Sequence, residues 1–525
     1  MFVKLTMKQL IKLFREIFFK FPIIFIFLFL SIFLQTFLNS LTVVAMTPLV
    51  DYLLETNNQS FSFITIYFEN FLNLNENNKN NLVFIMIFIS IIFFLAAIAG
   101  IITLGAITIV EHKLRNYILL DTLKIFLNTK HSFILENKVG KIANSFYVEI
   151  SKVSRAFAGM SRLMANIIQG VVLVFVPLFL STELTLYFLF FIFVFITPLY
   201  FGNILSYKFG QEATNASNIM VSNLMETLNS FKLIQSFGLQ KKAIFDFDKS
   251  IVAQANAHIK YYTLNRGIYL IFIPLGTIAS LITLYIADSN QMKLSEMAMI
   301  FFAFSRILPI LATILQERNA LEGFIPAYEQ VESLKNQALN YIENKKGLKF
   351  TNFKDKISIN NLHFNYPTRK TTLTNINLEL KKGQISSFVG KSGSGKTTLI
   401  DIIIGLYNPS SGQIKIDNVD LKNYQIDSFR KKIGYVPQET LLFNMTIRDN
   451  ILWSNPDLND EEIWELCKLS NSYHFIYNLP NKLDTEIGDS GLKLSGGQRQ
   501  RISLTRAIAK KPEILILDEA TSNLT

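Results

Sequence analysis

Six runs of roughly 20 apolar residues constrain this chain more than any other feature. Backbone polar groups inside hydrocarbon must be satisfied within the segment, so each run is expected to cross a membrane as an α-helix. The runs lie at Phe21–Val50, Asn81–Val110, Leu163–Leu180, Leu184–Leu205, Gly267–Ala287 and Met297–Leu315, the third and sixth being the least distinct. Half of the 525 residues are hydrophobic, 47 are Phe, and the mean hydropathy is +0.30, which agrees with a membrane class. Pro48, Pro177, Pro198 and Pro274 mark expected kinks or span ends.

Ahead of the first run, Met1–Lys20 interleaves apolar residues with Lys4, Lys8, Lys12, Arg15 and Lys20. That pattern predicts an interfacial elbow helix with its lysines toward anionic headgroups. A signal peptide fits less well, because the following apolar run is too long and no small-residue cleavage site appears.

Charge in the connecting loops predicts the orientation. Asp51–Asn80 carries Asp51, Glu55, Glu69 and Glu76 against Lys79, whereas Glu111–Arg162 and Ser206–Arg266 are long and basic. Both long loops and both termini are therefore expected in the cytoplasm. Asn223–Phe237 has apolar residues at three- and four-residue spacing, so these loops read as helices, which either extend the spans inward and dock on the nucleotide domain or pack only against each other. The net charge of +11 is spread over such loops rather than gathered in one stripe with interleaved aromatics, which argues against nucleic acid as a partner. The single cysteine, Cys467, removes disulfides and cysteine-rich zinc sites and is read as a packing residue.

Inside the sixth run, Arg306 stands three residues before Pro309 in FFAFSRILPILATIL. A charge at membrane depth faces either a cavity or, by snorkelling, an interface.

From about Lys335 the composition turns polar, with a lysine-rich linker over 335–354. Strand and helix patterns then alternate from residue 355 on, as in an α/β domain. Gly390, Lys391, Ser392, Gly393, Ser394, Gly395, Lys396, Thr397 and Thr398 spell GKSGSGKTT and fit G-x-x-x-x-G-K-[ST]. The apolar run Ile385–Val389 before it suits a buried strand, and Thr398–Gly405 after it suits a helix. Such a turn closes backbone N–H groups on phosphate oxygens, with Lys396 reaching the β/γ-phosphates of ATP and the Thr397 hydroxyl on Mg²⁺. Ile433–Gln438 reads as a strand ending in an amide. Ser495, Gly496, Gly497 and Gln498 open a basic helix and form a second anion site. Ile514–Glu519 reads as a buried strand ending in two carboxylates. Asp518 suits Mg²⁺ coordination and Glu519 suits orienting or deprotonating a water. Tyr366 is either an adenine-stacking ring or an ordinary turn aromatic.

With these motifs in this order, the sequence resembles an ABC exporter half-transporter along essentially its whole length. The implied fold is a membrane α-helical bundle of six transmembrane helices (residues 21–334) joined to an α/β P-loop nucleotide-binding domain (residues 355–525). The resemblance assigns Tyr366 to adenine stacking, Gly390–Thr398 to the Walker A loop and Gln438 to the Q-loop, which senses Mg²⁺. It assigns Ser495–Gln498 to the signature motif contacting ATP in trans, Asp518 to Walker B and Glu519 to the catalytic glutamate. Thr485–Gly491 resembles the exporter X-loop, with Asp489 and Ser490 in place of its usual Glu-Arg. A dimer is implied, with each ATP held between one subunit's Walker A and the other's signature. Intact motifs favour a homodimer over a heterodimer.

The sequence stops at Thr525, inside the family's D-loop, where an aspartate usually stands, so the resemblance implies a truncated nucleotide domain without its switch histidine. None of His112, His131, His258, His363 or His474 falls where it could substitute. Taken at face value, that end would leave an ATP-binding, hydrolysis-poor regulatory subunit as the alternative. Phe-rich spans and Arg306 resemble lipid and lipid-linked-oligosaccharide flippases, and multidrug and peptide exporters share the architecture. The expected substrate is therefore small and amphipathic or lipid-linked, with membrane lipid as the surroundings and a bacterial inner membrane as the location.

Overall fold

The computed structural model describes residues 15, 18–53, 63–72, 81–199, 202–290, 292, 294–343, 345–366 and 372–518. Most of Met1–Lys20, together with Glu519 and Thr525, lies outside the described residues. The chain divides into two compact units. One holds the residues up to Leu127 with Asn137–Leu339; the other holds Asn128–Glu136 with the residues from Asn340 on.

The first unit is helical. It begins with α1 (Pro22–Leu53), α2 (Phe63–Leu72) and α3 (Asn81–Leu127). The chain leaves it for α4 (His131–Glu136) and returns with α5 (Val139–Asn144), a π-helical turn at Ser145–Glu149 and α6 (Ile150–Leu180). It continues through α7 (Thr182–Leu199), α8 (Gly202–Asn229), α9 (Phe231–Ser236), α10 (Gln240–Ser289) and α11 (Leu294–Asn340). Six of these stretches are long and apolar enough to cross a membrane, matching the six runs of the sequence.

The helices are much longer than the runs. At 1.5 Å per residue, the 47 residues of α3 reach about 70 Å, against about 30 Å of hydrocarbon. The two basic loops are thus largely continuations of spanning helices, as their periodicity predicts. Pro177, Pro198 and Pro274 fall inside helices, as does Pro48 near the end of α1. Helix α2 had no counterpart in the sequence reading; the Thr65 hydroxyl donates to Asp51 Oδ2 at 2.6 Å and ties it to α1.

Packing within the first unit follows small residues and aromatics. A Cβ at Gly210 on α8 would collide with the Gly323 carbonyl on α11, so only glycine allows that crossing. Phe188 and Phe304 stack at 3.8 Å between α7 and α11. Beside the π-helical turn, a buried polar cluster ties α5, α6, α8 and α11 together. Lys152 Nζ donates to Glu149 Oε1 at 3.0 Å, and Asn144 and Thr214 donate to the same carboxylate at 3.2 Å each. Asn144 also donates to Asn218 at 2.6 Å, and Asn218 to Gln330 at 2.7 Å.

By contrast, the apolar residues of Asn223–Phe237 are not buried. Phe231, Leu233 and Phe237 at α9 are 57%, 57% and 67% exposed, so the amphipathic pattern presents its apolar side outward in a single chain.

In the second unit, β1 (Lys356–Phe364), β2 (Leu373–Lys381), β3 (Ser411–Ile416) and β4 (Val419–Asp420) form an antiparallel sheet in the order β2-β1-β3-β4. Helix α12 (Lys396–Ile403) packs its Leu399, Ile400, Ile402 and Ile403 into that sheet's core. After α13 (Ile426–Arg430), β5 (Ile433–Val436) pairs in parallel with β6 (Ile514–Leu517). Between them α14 (Ile447–Leu452), α15 (Asp460–Leu469), α16 (Tyr473–Tyr477) and α17 (Gly496–Ala509) enclose a second core around Ile451, Ile463, Cys467 and Ile502.

Two strand expectations change here. Ile385–Val389 joins no strand ladder, with Ile385 and Val389 almost fully exposed, and β6 is half-buried rather than buried. A buried parallel strand needs neighbours on its edges and cover on its faces. Among the described residues, the parallel sheet consists of β5 and β6 alone, so the apolar run beside it has no ladder to join.

Candidate nucleotide site

Residues Gly390–Gly395 form a turn that leads directly into α12. Gly393 and Gly395 take φ of +80° and +92°, in the left-handed region that glycine tolerates. A Cβ on Gly395 would also press on Leu373 Cδ2 at 2.7 Å. Both spacing and identity of the glycines are therefore required by the turn. The Lys396 ammonium folds back over the loop and donates to the carbonyls of Gly390 at 2.9 Å and Lys391 at 3.2 Å. Ser394 N–H closes the turn on Lys391 O at 3.1 Å.

Tyr366 lies beside this helix start. Its hydroxyl and Thr398 Oγ1 are 3.1 Å apart, and its ring stands edge-on to Phe364 (5.0 Å) and Tyr407 (5.5 Å). A cleft of about 750 Å³ opens here, bounded by Tyr366, Asn365, Tyr407, Ser132 and Glu136, within the size range of small-molecule sites.

The parallel pair β5–β6 delivers two more of the expected residues. Val436 pairs with Leu517, and Asp518 N–H donates to Val436 O at 2.9 Å, so Asp518 and the Gln438 segment leave neighbouring strands at their carboxyl ends. Open α/β sheets bind ligands at this end. Asp518 is buried and Gln438 exposed. Asp401 on α12, which the sequence reading passed over, is half-buried near Asp518. Burial, and secondarily the Asp518 carboxylate, push its carboxyl up to about 6. An excess of negative charge is thus already held beside Thr397 and Asp518. Hard oxygen donors in such a field fit Mg²⁺, which takes few protein ligands.

Ser495–Gln498 opens α17 through a reciprocal cap. Gln498 N–H donates to Ser495 Oγ at 3.3 Å, and Ser495 N–H to Gln498 Oε1 at 2.9 Å. Arg499 holds the preceding turn through Leu494 O at 2.8 Å. The helix they open packs Ile502 and Ala509 into a core separate from the one that carries α12. Ahead of them, Thr485–Gly491 is pinned to α14 by the bridge between Thr446 and Glu486 and by Asn444, which donates to Asp489 at 2.5 Å.

In the membrane unit, Arg306 is exposed on α11, about 18 Å from that helix's start. Its guanidinium lies 5.1 Å from the ring centroid of Phe93 on α3 and 5.3 Å from that of Phe302. Arg162 on α6 and Glu317 on α11 form a half-exposed ion pair at 2.5 Å, which the sequence reading did not single out. Contacts of this kind join residues 155 positions apart and leave no periodic signal.

The ABC transporter transmembrane region model matches residues 24–308, and the ABC transporter model matches residues 373–522. A heterocyst differentiation ATP-binding protein, HepA, of Nostoc sp. is 34% identical over 403 residues, covering 75% of this chain and 65% of that protein. An ATP-dependent lipid A-core flippase of Syntrophus aciditrophicus is 31% identical over 424 residues, covering 75% and 70%. A putative multidrug export ATP-binding/permease protein of Staphylococcus aureus is 30% identical over 404 residues, covering 75% and 69%. The matched part of this chain thus spans about two-thirds of the length of these relatives. In fold, a bacterial Atm1-family ABC exporter with ATP bound superposes with a TM-score of 0.77 at 19% identity, covering 95% of this chain and 86% of that one. With six membrane-crossing helices, a glycine-turned phosphate loop and both family models matched in order, the chain is an integral multi-pass membrane protein and belongs to the ABC transporter family, whose ATP-binding domain is coupled to transport.

Proposed function

We propose that this chain is one half of an ATP-driven exporter or flippase, acting as a homodimer on a lipid-type amphipathic substrate. The observation that carries the reading is the Gly390–Thr398 turn opening α12, whose Asp401 lies near Asp518, with the Gln438 segment leaving the strand beside Asp518, on a chain with six spans.

In the reading proposed, the α12 N-terminus and the loop N–H groups receive the phosphates of ATP. The Lys396 ammonium exchanges its two loop carbonyls for β/γ-phosphate oxygens. Tyr366 stacks on the adenine. The Thr397 hydroxyl and Asp518 would hold Mg²⁺, with Gln438 nearby; the ion supplies neutralisation of phosphate charge when bound. Gln438 and Glu519 orient the attacking water, with Glu519 as its base.

The homodimer rests on two features of the single chain. The capped N-terminus of α17, with Ser495 exposed, opens a helix packed into a core separate from the one that carries α12, as expected if it serves ATP on a second copy. The apolar knob of Phe231, Leu233 and Phe237 is exposed and calls for cover by a partner surface. Closing two such chains on ATP would move the long helices and turn the cavity outward. The basic long loops support a cytoplasmic α/β unit, and the family resemblance together with the Asn/Lys/Ile/Phe-heavy composition supports a bacterial inner membrane.

A lipid-type substrate is supported by a relative named as a lipid A-core flippase and by Arg306, a cation among phenylalanines at mid-span depth suited to a phosphate headgroup. The test is reconstitution in liposomes carrying a fluorescent phospholipid, scoring ATP-dependent loss of label from one leaflet by quenching. Flipping that needs ATP and falls severalfold in Arg306→Ala, with basal ATP hydrolysis intact, supports the reading. Equal loss of both activities removes Arg306 from the substrate path, and ATP-independent movement rejects the flippase.

A further inference from the structure

The short helix α4 belongs to the nucleotide unit, although in sequence it interrupts the membrane unit. Its anchorage there is extensive. Lys130 N–H donates to Tyr341 O at 2.8 Å and Glu343 N–H to Asn128 O at 3.0 Å, forming a small antiparallel bridge with the linker. Phe133 is fully buried against Tyr341. Glu343 is in turn clamped by both Arg430 nitrogens at 2.8 Å, and Arg430 donates to Gly405 O at 2.6 Å. Gly405 lies two residues before Tyr407, so this framework fixes α4 against the chain that leaves α12.

From this base an aromatic line runs to the phosphate loop. His131 Nδ1 and the Tyr407 hydroxyl are 3.0 Å apart, and their rings meet edge-on at 5.9 Å. Tyr407 is 8% exposed and stands edge-on to Tyr366 at 5.5 Å. Tyr366 reaches Thr398 Oγ1 at 3.1 Å. We infer that Tyr407, seated by His131, is a positioning residue that sets the ring of Tyr366 for the base of the nucleotide. The inference rests on the reading of Gly390–Thr398 and Tyr366 as an ATP site.

Tyr366 has two competing uses, the hydroxyl contact with Thr398 and the stacking of its face on a base. A ring that stacks must hold its plane while its hydroxyl partner changes. Phe364 backs it from the strand side at 5.0 Å, and Tyr407 is the aromatic wall on the other contact. Burial pushes the Tyr407 phenol up to about 12, so it stays a neutral hydroxyl at working pH. Its partner His131 sits four residues beyond the end of α3, a helix that spans the membrane unit. His131, Tyr407 and Tyr366 thus form one relay of contacts within the nucleotide unit, ending on the ring that meets the base.

The experiment is calorimetric titration of the full chain in detergent with ATP and, separately, inorganic tripolyphosphate. Tyr407→Phe and His131→Ala should each weaken ATP about fivefold, the scale of one neutral hydrogen bond, and leave tripolyphosphate unchanged. The double variant should be no weaker than either single, and His131→Asn, which restores a polar partner, should lie within about twofold of wild type. Equal weakening of ATP and tripolyphosphate, additive losses, or an unchanged ATP affinity in His131→Ala would overturn the relay. A wild-type chain that binds neither titrant would overturn the ATP-site reading itself, and the relay with it.

Discussion

Lys152→Met is the sharpest stability test of the polar cluster beside the π-helical turn. Met preserves the length of the side chain while removing its charge. Glu149, with no exposed side-chain surface, then loses an ion pair of 3.0 Å and keeps the hydrogen bonds from Asn144 and Thr214. Stranding one member of a buried pair costs about 3–5 kcal/mol. Two surviving donors place the expected loss at about 3 kcal/mol. At roughly 1–1.5 °C per kcal/mol for a unit of this size, the thermal midpoint of the purified chain should fall by about 3–5 °C, followed by helical circular dichroism. Glu149→Gln combined with Lys152→Met leaves no buried charge, and Asn144 and Thr214 can still serve the amide. The double variant should recover at least about half the loss, a coupling of at least about 1.5 kcal/mol. A single variant that shifts the midpoint by less than about 1 °C, or additive losses, would refute the claim that the pair is a buried, mutually dependent unit.

Three further outcomes follow from the nucleotide unit. Asp401, raised to about 6 from 3.8 by burial and Asp518, binds an extra proton in the folded state between about pH 4 and 6. Its penalty is absent below that window and full above it. Asp401→Asn should therefore stabilise the chain by about 1 kcal/mol at pH 7.5, after discounting for screening at a half-exposed site, and by nothing near pH 4; denaturant titration at both pH values checks this. Burial pushes the Cys467 thiol up, so maleimide labelling followed by mass should be at least about 100-fold slower folded than denatured. Rapid labelling of the folded chain would show that the α15–α17 core is open. Gly395→Ala forces a Cβ toward Leu373 at a φ of +92°, and should abolish measurable ATP binding while lowering stability by about 1–3 kcal/mol; unchanged binding would contradict the turn geometry.

What the sequence made legible divides along a physical line. The six spans were readable because hydrocarbon forces a long apolar run, and the turn at Gly390–Gly395 because positive φ selects glycine at fixed spacing. The helix opening at Ser495–Gln498 was readable from its small residues, although its reciprocal cap was not. Helix length was only partly readable, since the portions of α3 and α10 beyond the apolar runs carry polar surfaces like those of any exposed helix. The apolar run Ile385–Val389 misled, because a strand's burial depends on neighbours that the run does not encode. The contact of His131 with Tyr407 joins positions 276 apart, and Asp401 acquires its perturbation from burial and, secondarily, from Asp518 at the end of β6. Neither leaves a trace in local pattern.

The most direct test of the account is ATP hydrolysis by the chain reconstituted in liposomes with Mg²⁺, set beside Lys396→Ala and Glu519→Gln. The account predicts hydrolysis by the wild-type chain that falls at least about 100-fold in both variants, since each removes a group made to act on the phosphates or the water. Wild-type hydrolysis no faster than that of either variant would contradict an ATP-driven transporter.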